Sequence, residues 1–234
     1  MDENSLRVGI LTGHRRAFCV GADLKVDLEW STHVSDTMSS HTPMPVTFGG
    51  LTRRKGKKPV LGAVNGLCLG GGAEMIINSD MVIAASRVVF ALPEVKRGVV
   101  ALAGALPRLV RTVGKQRAME IVLIGRLLTA KEAEKWGLVN EVMEVESGIT
   151  DEEVCQKVVA RALQVAREIA GNSPDAVTVS REGVKLGWEG VGVDEAMAIF
   201  NDTWVEKLYR GENIKEGLAA FVEKRRPVWL DSKL

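Results

Sequence analysis

A glycine run followed directly by a carboxylate is the feature of this sequence best suited to chemistry: Gly70-Gly71-Gly72-Ala73-Glu74. The run follows an apolar stretch, residues 60–69, that is typical of a buried strand, and residues 75–78 continue as a helix. A strand, a glycine turn and a helix start leave backbone N–H groups at the positive end of a helix dipole. Donors for a developing oxyanion then lie beside a group that moves protons, which predicts acyl chemistry.

Other interpretations of the glycine run are less well supported. A Walker A phosphate loop needs Gly-Lys-Ser/Thr after its glycines, whereas Ala73 and Glu74 follow here. The run does not supply the dinucleotide fingerprint GxGxxG, and a carboxylate in the first helical turn would repel a pyrophosphate. The alternative that stays open is a tight strand-to-helix turn in which the glycines only permit close packing.

A second strand end offers the other donor that such a site needs. Residues 6–11 form a short apolar strand, and in the segment that follows Gly21 lets the backbone turn so that the N–H of Ala22 faces a cleft. Two strand ends, at Ala22 and at Gly71, would then give two N–H donors to one oxygen, as stabilisation of an acyl oxyanion requires.

Composition and charge argue against several other classes of function. The 234 residues suffice for one large domain, or for one domain with an appendage. A net charge of +1 gives no field that would attract nucleic acid or an acidic membrane, and no apolar run approaches the roughly 20 residues of a transmembrane helix. The three cysteines have no metal-ligand spacing, so we expect no metal site and a reducing compartment. Cys68 has no His near it in sequence, which favours a packed thiol over a nucleophile.

Strands and helices alternate along the first two thirds of the chain. Residues 80–85 and 88–91 are strand-like, an amphipathic helix is predicted over residues 114–124, and Thr129 forms a capping box with Glu132. This alternation predicts an α/β fold with much parallel pairing.

From residue 151 the sequence predicts almost only helix. Apolar residues recur at helical spacing up to Gly171, and Ser173-Pro174 begins the next helix as its N-cap and first helical residue. Two further helices are predicted over residues 194–208 and 214–224. A helical appendage of this kind packs against its own core or against a neighbouring subunit.

Four segments, taken together, resemble the crotonase superfamily of enoyl-CoA hydratases and isomerases. They are residues 17–24, 65–74, 90–99, and 125–133 with 136–140. The match runs over most of residues 6–145 in the family's order and spacing. The resemblance implies an α/β fold built as a spiral of ββα turns over residues 1–170. It also implies a C-terminal helical region over residues 171–234 that builds homotrimers, often paired into hexamers.

The resemblance assigns roles to the residues of the glycine run. It implies that the backbone N–H groups of Ala22 and Gly71 bind the thioester oxygen of a CoA ester, and that Glu74 and Glu94 are the two catalytic carboxylates. Glu74 shares a helix face with Gly71, and the dipole favours its ionised form, which suits the base that activates water. Apolar neighbours favour a protonated Glu94, which suits the acid that protonates the α-carbon. An exchange of these roles stays open because close carboxylates titrate together.

The presence of two carboxylates favours hydration over double-bond migration. Hydration needs one proton removed from water and one given to carbon, whereas isomerisation needs a single shuttling group, matched here by Glu94. The resemblance therefore favours an enoyl-CoA hydratase of fatty-acid β-oxidation or related acyl-CoA metabolism, with no cofactor besides the CoA of its substrate. The alternatives are a Δ3-Δ2-enoyl-CoA isomerase or other CoA-ester lyase, an inactive CoA-binding or scaffold subunit and, most distantly, weak nucleic-acid binding through residues 53–58.

Further positions match family segments that contact CoA. They are Ala22, Asp23, Leu24, Lys25, Gly71, Phe221 and Lys224. Solvated side chains are the alternative for the two lysines. This chain departs from the family pattern in two ways. It starts at the family's second strand, and it has Ala101 and Ala105 where related hydratases usually carry Pro and Gly. The second departure leaves the preferred acyl length open.

The sequence ends in Ser232-Lys233-Leu234, which matches the peroxisomal address. We expect a peroxisomal protein that binds the import receptor through these residues. This expectation fits β-oxidation.

Overall fold

The structure is a computed structural model that describes residues 5–23, 48–51 and 56–234. The predicted CoA contacts of Leu24 and Lys25, and residues 53–55 of the basic run at 53–58, lie outside these ranges. Eight strands lie within them: β1 (Gly9–Thr12), β2 (Ala17–Cys19), β3 (Val60–Val64), β4 (Leu67–Leu69), β5 (Met81–Ala85), β6 (Val89–Ala91), β7 (Leu128–Thr129) and β8 (Glu141–Met143).

The described ranges contain nine helices. They are α1 (Gly71–Ile77), α2 (Ala105–Val113), α3 (Lys115–Ile124), α4 (Ala130–Lys135), α5 (Asp151–Ala170), α6 (Pro174–Trp188), α7 (Val193–Phe200), α8 (Glu206–Arg210) and α9 (Glu212–Val222). A 3₁₀ turn occupies Glu94–Arg97, and a π-helical turn at Asn201–Val205 joins α7 to α8. None of these helices is both long enough and apolar enough to cross a membrane.

The strands form two four-stranded sheets, in the orders β1-β3-β5-β8 and β2-β4-β6-β7. From β1 to β6 successive strands alternate between the two sheets, which is how a spiral of ββα turns distributes its strands. The pairs β2–β4, β4–β6 and β5–β8 are parallel, and β6–β7 is antiparallel. The predicted α/β fold with mostly parallel pairing is confirmed.

The chain forms two compact units. We call one the core unit, made of Thr12–Arg54 and Gly62–Val159, and the other the C-terminal unit, made of Met1–Leu11, Lys55–Leu61 and Ala160–Leu234. The predicted division at residue 170 coincides with the end of α5, whereas the compact units divide within that helix. The assignment of residues 1–170 and 171–234 to two domains stays a prediction.

Apolar side chains from both sheets and from α1 and α2 fill the interior of the core unit. The largest of the fully buried ones are Phe90, Ile76, Ile83, Leu109 and Leu128. Full burial of each contributes about 1.5–3 kcal/mol to folding. This packing fixes α1 against the sheets and therefore fixes where the glycine run points.

Hydrogen bonds at helix starts account for several of the observed boundaries. Thr129 and Glu132 form the predicted capping box in both directions, and Ser173 caps α6 with Pro174 as its first residue. Helix α2 was not predicted. It begins after Gly104, whose left-handed conformation (φ 90°, ψ 10°) reverses the chain just before the helix.

Polar groups organise the end of the chain within the C-terminal unit. The buried Asn213 side chain donates to Asp175 Oδ2 at 2.8 Å and to the carbonyl of Leu230 at 3.1 Å, and its oxygen accepts the N–H of Leu230 at 2.9 Å. Arg7 pairs with Asp231 at 3.0 Å. These contacts hold residues 230 and 231 against the helices of their own unit.

Candidate active site

Three parallel strands of one sheet end at the same edge of the core unit. Cys19 of β2 is in register with Cys68 of β4, and Leu69 of β4 with Ala91 of β6. The residues that follow these strands are therefore neighbours, and they include Gly21, the glycine run and Glu94. The N–H of Gly70 donates to the carbonyl of Ala91 at 2.9 Å, which ties the glycine run to the end of β6.

The two predicted oxyanion donors lie at one junction. Gly21 has a φ of 98°, and a Cβ added there would lie 3.4 Å from the backbone nitrogen of Gly71. Ala22 is the next residue, so its N–H belongs to the same loop. The N–H of Gly71 lies in the first turn of α1, where helix geometry provides no acceptor. The structure thus brings the segments carrying Ala22 and Gly71 together.

Each glycine of the run leaves space for a different neighbour. A Cβ at Gly70 (φ 54°) would lie 3.4 Å from Oε1 of Glu94. At Gly71 it would lie 2.7 Å from ring atoms of Phe48, and at Gly72 it would overlap the backbone of Cys19. The three glycines therefore allow close packing at the same positions that form part of the predicted site.

Glu74 lies in α1, three residues after Gly71, and only 5% of the residue is exposed. Its Oε1 accepts the N–H of Ala103 at 2.9 Å. Burial raises the pKa of the Glu74 carboxyl, hydrogen bonds from the N–H groups of Ala105 and Ala103 lower it, and repulsion by Glu94 raises it further. Glu94 thus lies close enough for its charge to act on the carboxyl of Glu74.

Glu94 begins the 3₁₀ turn after β6 and is partly buried. Burial raises the pKa of its carboxyl, and its own backbone N–H opposes that shift. Its Oε2 is buried and accepts no hydrogen bond from any residue that the structure describes. Thus Oε1 of this carboxyl lies beside Gly70, and Oε2 has no hydrogen-bond partner among the described residues.

The environments of the two carboxylates differ in one respect. Burial raises the pKa of both carboxyls. For Glu74, this desolvation opposes the predicted effect of the α1 dipole, which favours the ionised form. Among the residues that the structure describes, N–H groups of another segment donate hydrogen bonds to Glu74 but not to Glu94, and such bonds favour the ionised form. The arrangement can hold one carboxylate as a base and keep the other protonated, beside two N–H donors.

The structure does not test the remaining predicted contacts with CoA. Asp23 is the last residue described before the gap at residues 24–47. Phe221, which is 84% exposed, lies in the last turn of α9, and Lys224 follows that helix, both in the C-terminal unit. Their roles stay predictions. No group of three or more potential metal ligands occurs among the described residues.

Sequence reasoning missed the contributions of Ala103, Ala105 and Phe48. The first two act through backbone N–H groups, which no residue type reveals, and Phe48 is distant in sequence from Gly71. Gly104 was the available signal, because glycine is the residue type that most readily adopts a left-handed conformation.

Comparison with known proteins identifies the group to which this architecture belongs. The family model for enoyl-CoA hydratase/isomerase matches residues 1–232. The chain belongs to the enoyl-CoA hydratase/isomerase family. The crystal structure of an enoyl-CoA hydratase from Mycobacterium tuberculosis is similar, with a TM-score of 0.81 and 32% identity over 98% of this chain and 83% of that one.

Curated members of the hydratase/isomerase family are closer in sequence. A mevalonyl-coenzyme A hydratase of Beauveria bassiana is 49% identical over 99% of this chain and 81% of its own length. The corresponding protein of Aspergillus fumigatus is 47% identical over 98% of this chain and 80% of its own. A probable mitochondrial enoyl-CoA hydratase of Dictyostelium discoideum is 38% identical over 94% and 73%. These similarities place the chain among enzymes of the hydratase type.

Proposed function

We propose that this protein adds water across the 2,3 double bond of an enoyl-CoA thioester and catalyses the reverse dehydration. One observation carries the proposal: a buried Glu74 and a partly buried Glu94 lie at the strand edge where the backbones of Gly21 and Gly71 meet. A reaction that moves two protons and builds negative charge on a carbonyl oxygen needs this set of groups.

The proposed mechanism assigns one task to each group. Glu74 takes a proton from water as the oxygen attacks C3, and Glu94 gives its proton to C2. Negative charge that develops on the thioester oxygen is stabilised by the N–H groups of Ala22 and Gly71. Each such donor is worth about 2.7–4 kcal/mol in the transition state. In the reverse direction the two carboxyls exchange the roles of acid and base.

A spectrophotometric assay tests hydration directly. Purified protein incubated with a 2-enoyl-CoA should remove the absorbance of the conjugated thioester, and Glu74→Gln and Glu94→Gln should each lower kcat by about 10²–10⁴-fold. Absence of turnover with retained CoA-ester binding would favour the inactive scaffold. Appearance of conjugation from a 3-enoyl-CoA, retained in Glu74→Ala, would favour the isomerase.

We further propose that mevalonyl-CoA is a substrate. The support is the identity of 47–49% with two proteins named mevalonyl-coenzyme A hydratases, over nearly the whole of this chain. Dehydration of mevalonyl-CoA and hydration of a straight-chain 2-enoyl-CoA would be compared at equal enzyme concentration. A kcat/KM higher for mevalonyl-CoA supports this substrate, and a higher value for the straight-chain ester favours fatty-acid oxidation.

Assembly and localisation follow as separate proposals. Relationship to the crotonase superfamily supports a homotrimer or hexamer, which light scattering of the purified protein would measure. The sequence Ser232-Lys233-Leu234 supports recognition by the peroxisomal import receptor. An N-terminally tagged chain should enter peroxisomes, and the same chain without these three residues should stay in the cytosol. Unchanged import of the shortened chain would refute this localisation signal.

A further inference from the structure

The corner at residues 103–105 holds Glu74 without using a side chain. The N–H of Ala103 donates to Oε1 of Glu74 at 2.9 Å, and the N–H of Ala105 makes a second hydrogen bond to the carboxyl. Because both donors are peptide groups, their effect on Glu74 depends on how the two peptide planes are oriented. Whatever fixes these planes therefore influences the carboxylate.

The glycine between the two donors sets the shape of the corner. Gly104 has a φ of 90° and a ψ of 10°, a left-handed conformation that strains any residue with a side chain. Successive N–H groups around a left-handed residue form a concavity suited to an anion. The carbonyl of Gly104 and the N–H of Ala105 belong to one trans peptide, so they point in opposite directions.

Arg108, in the first turns of α2, lies against this peptide. Its Nη1 donates to the carbonyl of Gly104 at 3.5 Å, and a Cβ added at Gly104 would overlap the same nitrogen. The guanidinium thus fills the space that the glycine leaves free. A cationic donor on the carbonyl fixes the peptide plane and polarises its N–H on the opposite side.

We propose that Arg108 is a positioning residue for Glu74, which keeps the N–H of Ala105 directed at the carboxyl by holding the carbonyl of Gly104. This inference rests on the proposed function in one respect: Glu74 must act as a base for the contact to affect catalysis. The contact itself does not depend on which reaction the protein catalyses.

Other charged and titratable groups also lie near α1. The elements packed on α1 carry Cys19 on β2, Cys68 on β4 and Arg111 on α2, and Glu94 repels Glu74 from the turn after β6. Arg111 lies in the last turn of α2 and is exposed. It provides a matched control, since Arg111→Met removes the same charge from the same helix.

The first measurement is the pH dependence of kcat for Arg108→Met, Arg108→Lys and Arg111→Met. Loss of a hydrogen bond that lowers the pKa of Glu74 raises that pKa, so the base becomes ionised only at higher pH. Arg108→Met should lose roughly tenfold in kcat on the acid limb and less than about threefold on the plateau. Arg108→Lys should lie between Arg108→Met and the wild type, and Arg111→Met should follow the wild type.

The second measurement does not need activity. In protein labelled with ¹³C at the glutamate carboxyls, the Glu74 resonance is assigned by its loss in Glu74→Gln, and its titration midpoint should rise in Arg108→Met. An inactive wild type would refute the proposed function and leave this comparison intact. If Arg108→Met fails to fold, Arg108→Lys should show a smaller rise. An unchanged midpoint in a folded Arg108 variant, or an equal rise in Arg111→Met, would overturn the positioning role.

Discussion

Replacing Gly72 by alanine should displace the predicted oxyanion donors while leaving the protein folded. A Cβ at Gly72 would lie 2.9 Å from both the carbonyl carbon and the Cβ of Cys19, and it would overlap the carbonyl oxygen. Uncrowded contacts begin at 3.4 Å, so the end of β2 must move from α1 by at least about 0.5 Å. The neighbour that must move is backbone, which no side-chain rotation can relieve.

This movement reaches the site because Gly21 and Ala22 follow Cys19 directly. A displacement of 1 Å at a reacting group costs about 10²-fold in rate, so half of that distance or more predicts a loss of roughly 10–100-fold in kcat/KM for Gly72→Ala. Overpacking should lower the free energy of unfolding by about 1–3 kcal/mol. The variant should therefore fold at 25 °C and bind its substrate in a distorted site.

The assay combines hydration kinetics with urea denaturation. Gly187→Ala is the control, because a Cβ there meets no atom within 4 Å and alanine favours the helix α6. It should keep full activity and gain about 0.4–1 kcal/mol in stability. A Gly72→Ala enzyme with wild-type kcat/KM would refute the argument that contact between β2 and α1 sets the donors.

Three further predictions concern stability. Asn213→Ala leaves the buried Asp175 without its hydrogen-bond donor and should lower the free energy of unfolding by about 1–3 kcal/mol in urea titrations; an unchanged midpoint would contradict this role. Thr129→Ala removes the capping box with Glu132 and should cost about 0.5–2 kcal/mol, whereas Thr129→Ser should restore most of it. Burial raises the pKa of Glu94, so its contribution to stability is complete below the ordinary pKa and is lost as the pH rises through the raised value. Glu94→Gln should flatten the fall in stability between pH 4 and neutral pH, and an unaltered slope would argue against a buried carboxyl.

Local features of the site could be predicted from the sequence because each depends on residues close together in the chain. The turn after β4, the start of α1 and the capping box of α4 all follow from glycine and polar residues within a few positions. Parallel strands end at one edge of a sheet, so the same pattern places Gly21, the glycine run and Glu94 together.

Contacts that join distant segments could not be predicted in this way. The N–H of Ala103 meets Glu74 across 29 residues of chain. Apolar residues precede and follow Gly104, and only the backbone conformation shows that a helix starts there. The direction of the dipole effect on Glu74 was predicted, but the opposing desolvation depends on the burial of this side chain, which the sequence alone does not reveal.

The glycine run serves packing and chemistry through one physical property, the absence of a side chain. Gly70 admits the carboxyl of Glu94, Gly71 admits the ring of Phe48, and Gly72 admits the backbone at the end of β2. Each of these neighbours comes from a different part of the core unit, and all three meet at the start of α1. A side chain at Gly71 or Gly72 would separate one of these segments from the others, and at Gly70 the φ of 54° would strain any residue with a side chain. The run is therefore required because the groups of the site come from segments that only bare backbone lets approach so closely.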